Sequence, residues 1–262
     1  KTEVASLSSK MGYEVMNMNL GAMDNKTGDV ESYGLLYQWG RKDPFPAAPT
    51  LTGTTTTVGA TIYDGDNNEI KITNSSWSST DNNNLAYAIA HPTVCLSSMK
   101  QFATSRDWLE ADKSNDALWG NPKGGEKDAG NNLLNKGAKS FYDPCPVGYK
   151  VPDRDTWDDF ADEQDRYVDG TSEWDGEKYG MTYIFGDLRD WYPTSGYRNR
   201  DKGNLAGLAT TRTGHYWSNY RSGNPISCFY ISKKLSTGKL LQPQSSSKSD
   251  AAYGYNVRCC RE

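Results

Sequence analysis

Residues able to carry out nucleophilic or acid–base catalysis are scarce in this chain. It contains two histidines, His91 and His215, and neither belongs to a known nucleophile motif. A Ser-His-Asp or Cys-His arrangement needs a base held against its nucleophile, and the local G-x-S-x-G signature does not occur in the sequence. We therefore predict that the protein is not an enzyme and has no catalytic residues.

One short segment imitates part of a calcium loop. Asp64, Asp66 and Asn68 stand at the spacing of the first three ligands. Glu69, however, occupies the position where the sharp turn needs glycine, and no glutamate stands at the twelfth position. No group of cysteines and histidines has zinc spacing either. We predict a β-hairpin turn here, with no metal and no cofactor in the protein.

The five cysteines leave an odd one after any pairing. In a cytosolic protein they would be free thiols, whereas an exported protein would hold one or two disulfides and a spare thiol. The adjacent Cys259 and Cys260 point to opposite faces of a strand, so we expect them not to be equally buried. Cys95 and Cys228 form a further candidate pair.

The composition excludes several functional classes and favours an aromatic-rich β structure. A net charge of -4 is unsuited to a nucleic-acid-binding face, and no apolar run approaches the roughly 20 residues of a transmembrane helix. The 8 tryptophans and 17 tyrosines must supply much of the buried surface. We expect no nucleic acid among the partners and no transmembrane segment in this fragment.

The elements that must position any functional residue are short. The densest local signals lie between residues 142 and 160, where Pro144 and Pro146 hold the backbone extended around a cysteine. Asp153 is a suitable N-cap for a short helix that carries Trp157 on its apolar face. This pattern predicts a rigid elbow that leads into a helix.

The remaining pattern indicates short strands that are joined by long loops. Their spacing favours an antiparallel sheet, with Trp39, Trp157 and Trp217 in its core, while Trp191 fits the core and the surface equally well. Residues 50–140 are polar, and we expect a loop-rich insertion that packs over the main domain without a core of its own. The predicted strands are 13–20, 33–39, 181–185, 188–192, 215–220, 227–232 and 253–258.

Several stretches of the sequence together resemble one known family. They are residues 19–22 (NLGA), 37–45 (YQWGRKDPF), 142–152 (YDPCPVGYKVP), 192–198 (YPTSGYR), 216–218 (YWS) and 256–259 (NVRC). Their order and spacing resemble the FISUMP ("major paralogous domain") family of bacterial surface proteins, in the version of Bacteroides-type fimbrillin-like lipoproteins. The chain departs from that pattern in its long 50–140 insertion and in Cys260, which replaces an aliphatic residue.

The resemblance implies a fold and a cellular location. The fold is a C-type-lectin-like α+β domain, shared with formylglycine-generating enzymes, with a twisted antiparallel sheet, few short helices and neighbouring N- and C-terminal strands. One such domain would span residues 1–262. The family positions match Cys145 and Cys259, which implies either a disulfide or two buried thiols. The location would be the cell surface, at the outer membrane or a fimbria, after export.

The resemblance also implies a binding function on loops at one side of the sheet. The candidate ligand-binding residues lie in two such loops and are Arg198, Asn199, Arg200, Tyr220, Arg221 and Asn224. Their partner would be a glycan or protein on a host or neighbouring cell, and a fimbrial tip adhesin is one form of this role. One alternative is a structural fimbrial subunit with a groove or edge strand for a neighbouring subunit. The other is an enzyme related to formylglycine-generating proteins.

Overall fold

The computed structural model describes residues 6–8, 14–49, 62–70, 73–75, 84–97, 107–109, 117–120, 139–161, 172–185, 188–208, 212–221, 226–233 and 240–262. Over this part of the chain the fold is mostly sheet with short helices, in agreement with the predicted α+β class. The helices are α1 (Asn84–Ala90), α2 (Asp158–Ala161) and the 3-10 turns Val30–Tyr33 and Arg154–Trp157. The strands are β1 (Ser6–Ser8), β2 (Glu14–Met16), β3 (Leu35–Gln38), β4 (Pro44–Pro46), β5 (Ile62–Tyr63), β6 (Glu69–Ile70), β7 (Thr73–Ser75), β8 (Val94–Leu96), β9 (Tyr149–Lys150), β10 (Ser172–Asp175), β11 (Gly180–Phe185), β12 (Leu188–Pro193), β13 (Tyr197–Arg198), β14 (Leu205–Ala206), β15 (Thr213–Arg221), β16 (Ile226–Lys233), β17 (Leu240–Ser249), β18 (Gly254–Asn256) and β19 (Cys260–Arg261).

The largest sheet has eight strands in the order β14-β13-β18-β15-β16-β17, with β3 beside β18 and β4 beside β3. Its pairings are antiparallel, as predicted, except that β15 and β18 run parallel. Strand β18 reaches the edge of β15 only after the chain has passed through β16 and β17. A long connection therefore sets its direction, where a tight hairpin would have made it antiparallel.

A smaller sheet brings the two ends of the described chain together. Its strand order is β1-β2-β19-β9, and Cys260 on β19 pairs with Val15 on β2 and with Lys150 on β9. The amide of Met16 also donates to the carbonyl of Cys259, at 2.8 Å. The neighbouring terminal strands that the family resemblance implies are therefore present.

The three tryptophans assigned to the core from sequence are all fully buried, at 0% exposure. Each indole N–H donates to a backbone carbonyl of a different element, from Trp39 to Ser218 (3.0 Å), from Trp217 to Tyr37 (2.7 Å) and from Trp157 to Trp217 (3.3 Å). Burying a large ring is favourable when its polar atom finds such a partner. Trp39 and Trp217 therefore link the β3 segment to β15 across β18, and Trp157 links the 3-10 turn to β15.

Several described residues of the 50–140 segment pack onto the same core. Trp108, Leu109 and Trp119 are buried in one cluster with Trp39 and Trp217. The Trp119 ring lies 5.5 Å from that of Trp39, and the indole of Trp108 donates to the Trp39 carbonyl at 2.8 Å. The calcium-like segment within this insertion forms the turn of the β5-β6 hairpin, as expected.

The elbow is built largely as predicted, with one correction. Asp143 accepts the amides of Cys145 and Val151, both at 2.8 Å, which closes the proline-rich turn. Asp153 precedes the short helix in the N-cap position but makes no side-chain capping bond. Its buried carboxylate instead accepts from Lys150 Nζ (2.7 Å) and Asn219 Nδ2 (2.8 Å). Leaving the buried ammonium group of Lys150 without a counter-charge would cost more free energy than leaving the helix end uncapped, so the Asp153 carboxylate pairs with Lys150.

The cysteines correct two of the expectations from sequence. Cys145 and Cys259 are joined by a disulfide, whereas Cys95 and Cys228 are free thiols in different buried clusters. Cys259 and Cys260 are both fully buried, contrary to the expectation for neighbours on a strand. The reason is that an aromatic or aliphatic cluster covers each face of the chain there.

Candidate ligand-binding site

Arg198, the first residue of the predicted ligand loops, is buried and cannot serve as a surface contact. Its guanidinium donates to the carbonyls of Gly203 (3.0 Å) and Pro46 (2.8 Å). The side chain therefore ties the β13-β14 hairpin to strand β4. The prediction that Arg198 contacts a ligand is wrong, because its guanidinium is buried and donates to backbone carbonyls of the protein.

Asn199 and Arg200 are partly exposed, but both stabilise their own loop. The Asn199 side chain accepts the amides of Asp201 (2.8 Å) and Lys202 (3.3 Å), which forms a local turn. The Arg200 guanidinium pairs with the Asp250 carboxylate and lies 5.2 Å from the centroid of the Tyr253 ring. These contacts engage the amide oxygen of Asn199 and the Nη1 atom of Arg200 within the protein.

The second predicted loop differs in a similar way. Arg221 is buried, forms an ion pair with Asp107 at 2.7 Å and lies 5.3 Å from the centroid of a Trp39 ring, so the prediction that it binds ligand is wrong. Tyr220 is half-buried beneath the Arg154 guanidinium, 4.8 Å from its ring centroid. Asn224 lies outside the described residues. Among the described residues, the arginines of the two predicted loops therefore have different neighbours.

His215 lies within a stack of aromatic rings in the largest sheet. Its imidazole is 4.3 Å from the Tyr255 ring at an interplanar angle of 15°, and 4.8 Å from the Tyr230 ring. Burial disfavours the imidazolium form and lowers the pKa of His215 to about 3. The packing thus assigns His215 a structural role in the sheet.

This burial predicts that acid destabilises the protein through His215. The pKa is about 3 in the folded state and about 6.5 in the unfolded state, so the unfolded chain binds the proton more tightly. The stabilisation is complete above pH 6.5 and is lost progressively down to pH 3, with a slope of up to about 1.4 kcal/mol per pH unit. Urea unfolding of the wild type and of His215→Phe between pH 7 and pH 4 should give a steeper loss for the wild type. Parallel profiles would contradict the assignment.

A cleft of about 480 Å³ opens beside the three-stranded sheet β10-β11-β12. We call it the tryptophan cleft because two indoles contribute to its walls. Its lining residues are Asn25, Thr27, Trp174, Asp175, Gly176, Lys178, Thr182, Arg189 and Trp191.

The strand register of this sheet explains which side chains reach the tryptophan cleft. Thr182 on β11 is directly opposite Trp191 on β12, and Arg189 lies two residues before Trp191 on the same face. The intervening residues Met181 and Tyr192 point the other way, into a buried aromatic cluster. Trp174 on β10 is opposite Met181 and packs against the same cluster, so the two indoles of the cleft come from opposite faces of the sheet.

Two glycines allow the cleft walls to approach closely. A Cβ at Gly180 would lie 2.4 Å from Cζ2 of Trp191, so this indole rests directly against the backbone. A Cβ at Gly28 would lie 2.7 Å from Cγ of Lys178, so the aliphatic stem of that lysine packs against the facing loop. The Trp191 ring and the base of Lys178 are therefore held in place.

The wall opposite the sheet comes from the loop that contains Asn25 and Thr27. Asn25 Oδ1 accepts from Nη2 of Arg258 at 3.4 Å, and the same nitrogen donates to the carbonyl of Asn17. The guanidinium of Arg258 also lies 3.7 Å from the centroid of the Tyr192 ring. Because this contact engages the amide oxygen of Asn25, the amide NH2 group is the part of the side chain suited to donate to a ligand.

The chemistry of the lining residues suits binding more than bond breaking. The cleft combines aromatic rings with amide, hydroxyl, carboxylate and cationic groups, but neither a histidine nor a cysteine lines it. In the part of the chain that the structure describes, no group of three or more His, Cys, Asp or Glu side chains is placed to hold a metal. Nor does any helix there have the length and apolar character needed to cross a membrane.

The tryptophan cleft contains none of the six residues predicted to bind a ligand. Trp174 and Asn25 were not singled out from the sequence. The structure brings both to the cleft together with Trp191, whose role the sequence left open. Comparison with known proteins gives no match, since no protein-family model, curated protein or solved structure matches this chain.

Proposed function

We propose that the protein is an exported, non-catalytic surface protein that binds a glycan in the tryptophan cleft. The observation that carries this proposal is the combination of the half-buried Trp174 indole, backed by Trp191 at 2% exposure, with hydrogen-bonding side chains in a cavity of about 480 Å³. Sugars present apolar C–H faces and hydroxyl rims, which match aromatic rings and polar groups respectively. An adhesive role at a cell surface, including the tip of a fimbria, follows from this activity and from the family resemblance.

The C-type-lectin-like fold is part of the same proposal. It is supported by the pairing of β2 with β19, which places the terminal strands side by side, and by the disulfide from the elbow to the last segment. In such a fold a braced sheet holds binding residues while the chain termini remain together. The family resemblance implies a location outside the cell. The disulfide between Cys145 and Cys259 agrees with that location, because oxidising compartments favour disulfides.

The size of the cleft favours a glycan over a protein ligand. Small-molecule sites typically occupy about 300–1,000 Å³, and this cleft falls within that range. A stable protein partner needs roughly 800 Å² of buried surface on each side. One or two sugar rings therefore fit the cleft better than a protein surface does.

Cysteine chemistry supports binding without catalysis. An enzyme related to formylglycine-generating proteins would need a reactive thiol, and the thiolate is the reactive form. Burial raises the pKa of both Cys228 and Cys260 to about 12 and also raises the pKa of Cys95. These three thiols are thus held protonated and away from solvent.

We expect Trp174→Ala to weaken glycan binding about 30-fold, which corresponds to about 2 kcal/mol for loss of an aromatic anchor. The measurement is a glycan-array screen of the wild type, followed by titration calorimetry of the best oligosaccharide against both proteins. Phe141→Ala is the matched control, because Phe141 is an exposed aromatic residue (80% exposure) outside the cleft. Equal losses in the two variants, or no loss in Trp174→Ala, would contradict the proposed site.

The structural-subunit alternative draws support from an apolar groove of about 470 Å³ beside β4. Its lining includes Val30, Leu35 and Ile62. Strand β4, however, contains Pro44 and Pro46, which have no amide hydrogen to offer an incoming strand, and the Pro46 carbonyl already accepts from an arginine. The groove is present but its edge is poorly suited to strand addition, so we rank this alternative second. Ordered oligomers in light scattering, without glycan binding, would reverse that ranking.

A further inference from the structure

We propose that the tryptophan cleft selects acidic sugars, meaning pyranoses that carry a carboxylate, with Arg189 as the specificity-determining residue. This inference rests on the proposed function and adds the chemical class of the ligand. It follows from the charges, positions and packing of the groups on the cleft walls.

Among the described residues that line the cleft, the charged ones are two cations, Lys178 and Arg189, and one anion, Asp175. Asp175 Oδ1 accepts the amides of Glu177 (3.0 Å) and Lys178 (2.8 Å), so this carboxylate is committed to the turn. Its other oxygen lies 3.7 Å from Lys178 Nζ. Asp175 is thus directed at the protein and partly offsets the charge of Lys178, and the described lining residues carry one more positive than negative charge.

Arg189 is placed to read a carboxylate next to a bound sugar ring. It is exposed on β12 and lies two residues from Trp191 on the same strand face, a separation of roughly 6.6 Å along the strand. Trp191 is itself 2% exposed, so the pyranose would lie over the sheet face beside it, with its exocyclic carboxylate towards the guanidinium. Because a guanidinium has five N–H donors in a planar fork, it can engage a carboxylate in two parallel hydrogen bonds and still keep a protein contact.

Lys178 supplies a second positive charge at the rim. Its stem packs against Gly28, which limits the positions that its ammonium group can reach. Lysine acts as a point charge without the planar geometry of arginine. We therefore assign attraction of the anion to Lys178 and Arg189 together, and selection of its planar carboxylate to Arg189.

The test compares one oligosaccharide with its own uncharged form. The probes are a tetrasaccharide of alternating glucuronate and N-acetylglucosamine, the same tetrasaccharide after reduction of its carboxyl groups to alcohols, and a sialylated trisaccharide. Titration calorimetry of the wild type should show at least about 10-fold tighter binding of one acidic probe than of the reduced probe, since a hydrogen bond to a charged group is worth that factor. Raising the salt concentration should weaken the acidic probe selectively.

Variants then assign the preference to the cleft. Arg189→Gln should abolish the preference by weakening binding of the acidic probe far more than binding of the reduced probe, whereas Lys202→Gln, which removes an exposed charge elsewhere, should preserve it. Whether the glucuronate or the sialylated probe binds tighter identifies the source of the carboxylate. Equal binding of acidic and reduced probes, still sensitive to Trp174→Ala, would overturn this inference but not the proposed function. If neither the array glycans nor these probes bind, both this inference and the proposed function are contradicted.

Discussion

Replacing Cys145 and Cys259 together by alanine is expected to lower the free energy of unfolding by about 4–5 kcal/mol. The disulfide joins residues 114 positions apart, and a cross-link over a loop of that length removes a large part of the unfolded chain's conformational freedom. It also fixes the elbow against the segment that leads into β19. The measurement is urea unfolding of the wild type and of the double variant.

Reductant supplies the matched control for this prediction. In the wild type, a reducing agent should lower the unfolding free energy to the level of the double variant, while the double variant itself should not respond. The three remaining thiols are already free and buried, so reduction leaves them unchanged. A wild type that unfolds identically with and without reductant would show that the bond contributes nothing to stability.

Removing one partner of the buried pair between Arg221 and Asp107 should cost about 3–5 kcal/mol. The two charged groups are 2.7 Å apart with almost no solvent exposure, so Asp107→Asn leaves a buried guanidinium without its counter-charge. The exposed pair of Arg261 with Glu14 is the internal comparison, and its loss in Arg261→Met should cost no more than about 1 kcal/mol. Denaturant unfolding of both variants measures the difference.

Measuring both stability and glycan affinity in a variant of Arg221 distinguishes a structural role of this residue from a role in binding. We expect Arg221→Met to lose stability but to bind glycan with unchanged affinity in the fraction that remains folded. The opposite result, normal stability with lost binding, would restore the ligand-contacting role that the sequence suggested for Arg221. Similar costs for the buried and the exposed pair would instead mean that burial adds little at this site.

Local features of the fold were predictable because their causes are local. Pro144 and Pro146 restrict their own backbone angles, and a strand such as β11 is apparent from residues within it. The tryptophans at 39, 157 and 217 were assigned correctly because strand and helix periodicity points them inward. The parallel pairing of β18 was not predictable, since it depends on where a long connection returns.

The inward contacts of Arg198 and Arg221 were not predictable from their neighbours in the sequence. Arg198 bonds to the carbonyl of Pro46, 152 positions away, and Arg221 pairs with Asp107, 114 positions away. In their local context both are polar loop or strand-end residues, which is typical of a ligand face. Only tertiary contacts turn them inward and leave a different surface available for binding.

The tryptophan cleft depends on the same kind of long-range assembly. Its walls come from the loop around Asn25 and from a sheet that begins at Ser172, two segments that share no pattern in the sequence. The glycine at position 180 is readable as a strand glycine, and such a residue often marks a close approach of another group. It does not by itself indicate that the approaching group is the Trp191 ring.

The most direct test of the account is a nuclear magnetic resonance titration of the indole N–H signals with the best oligosaccharide from the glycan array. The chain has 8 tryptophans, so each indole reports on a different place in the fold. We predict that the signals of Trp174 and Trp191 shift, while those of Trp39, Trp157 and Trp217, which donate to backbone carbonyls in the core, do not. Shifts of backbone amides around Tyr220 and Arg221, with the two cleft indoles unaffected, would contradict it.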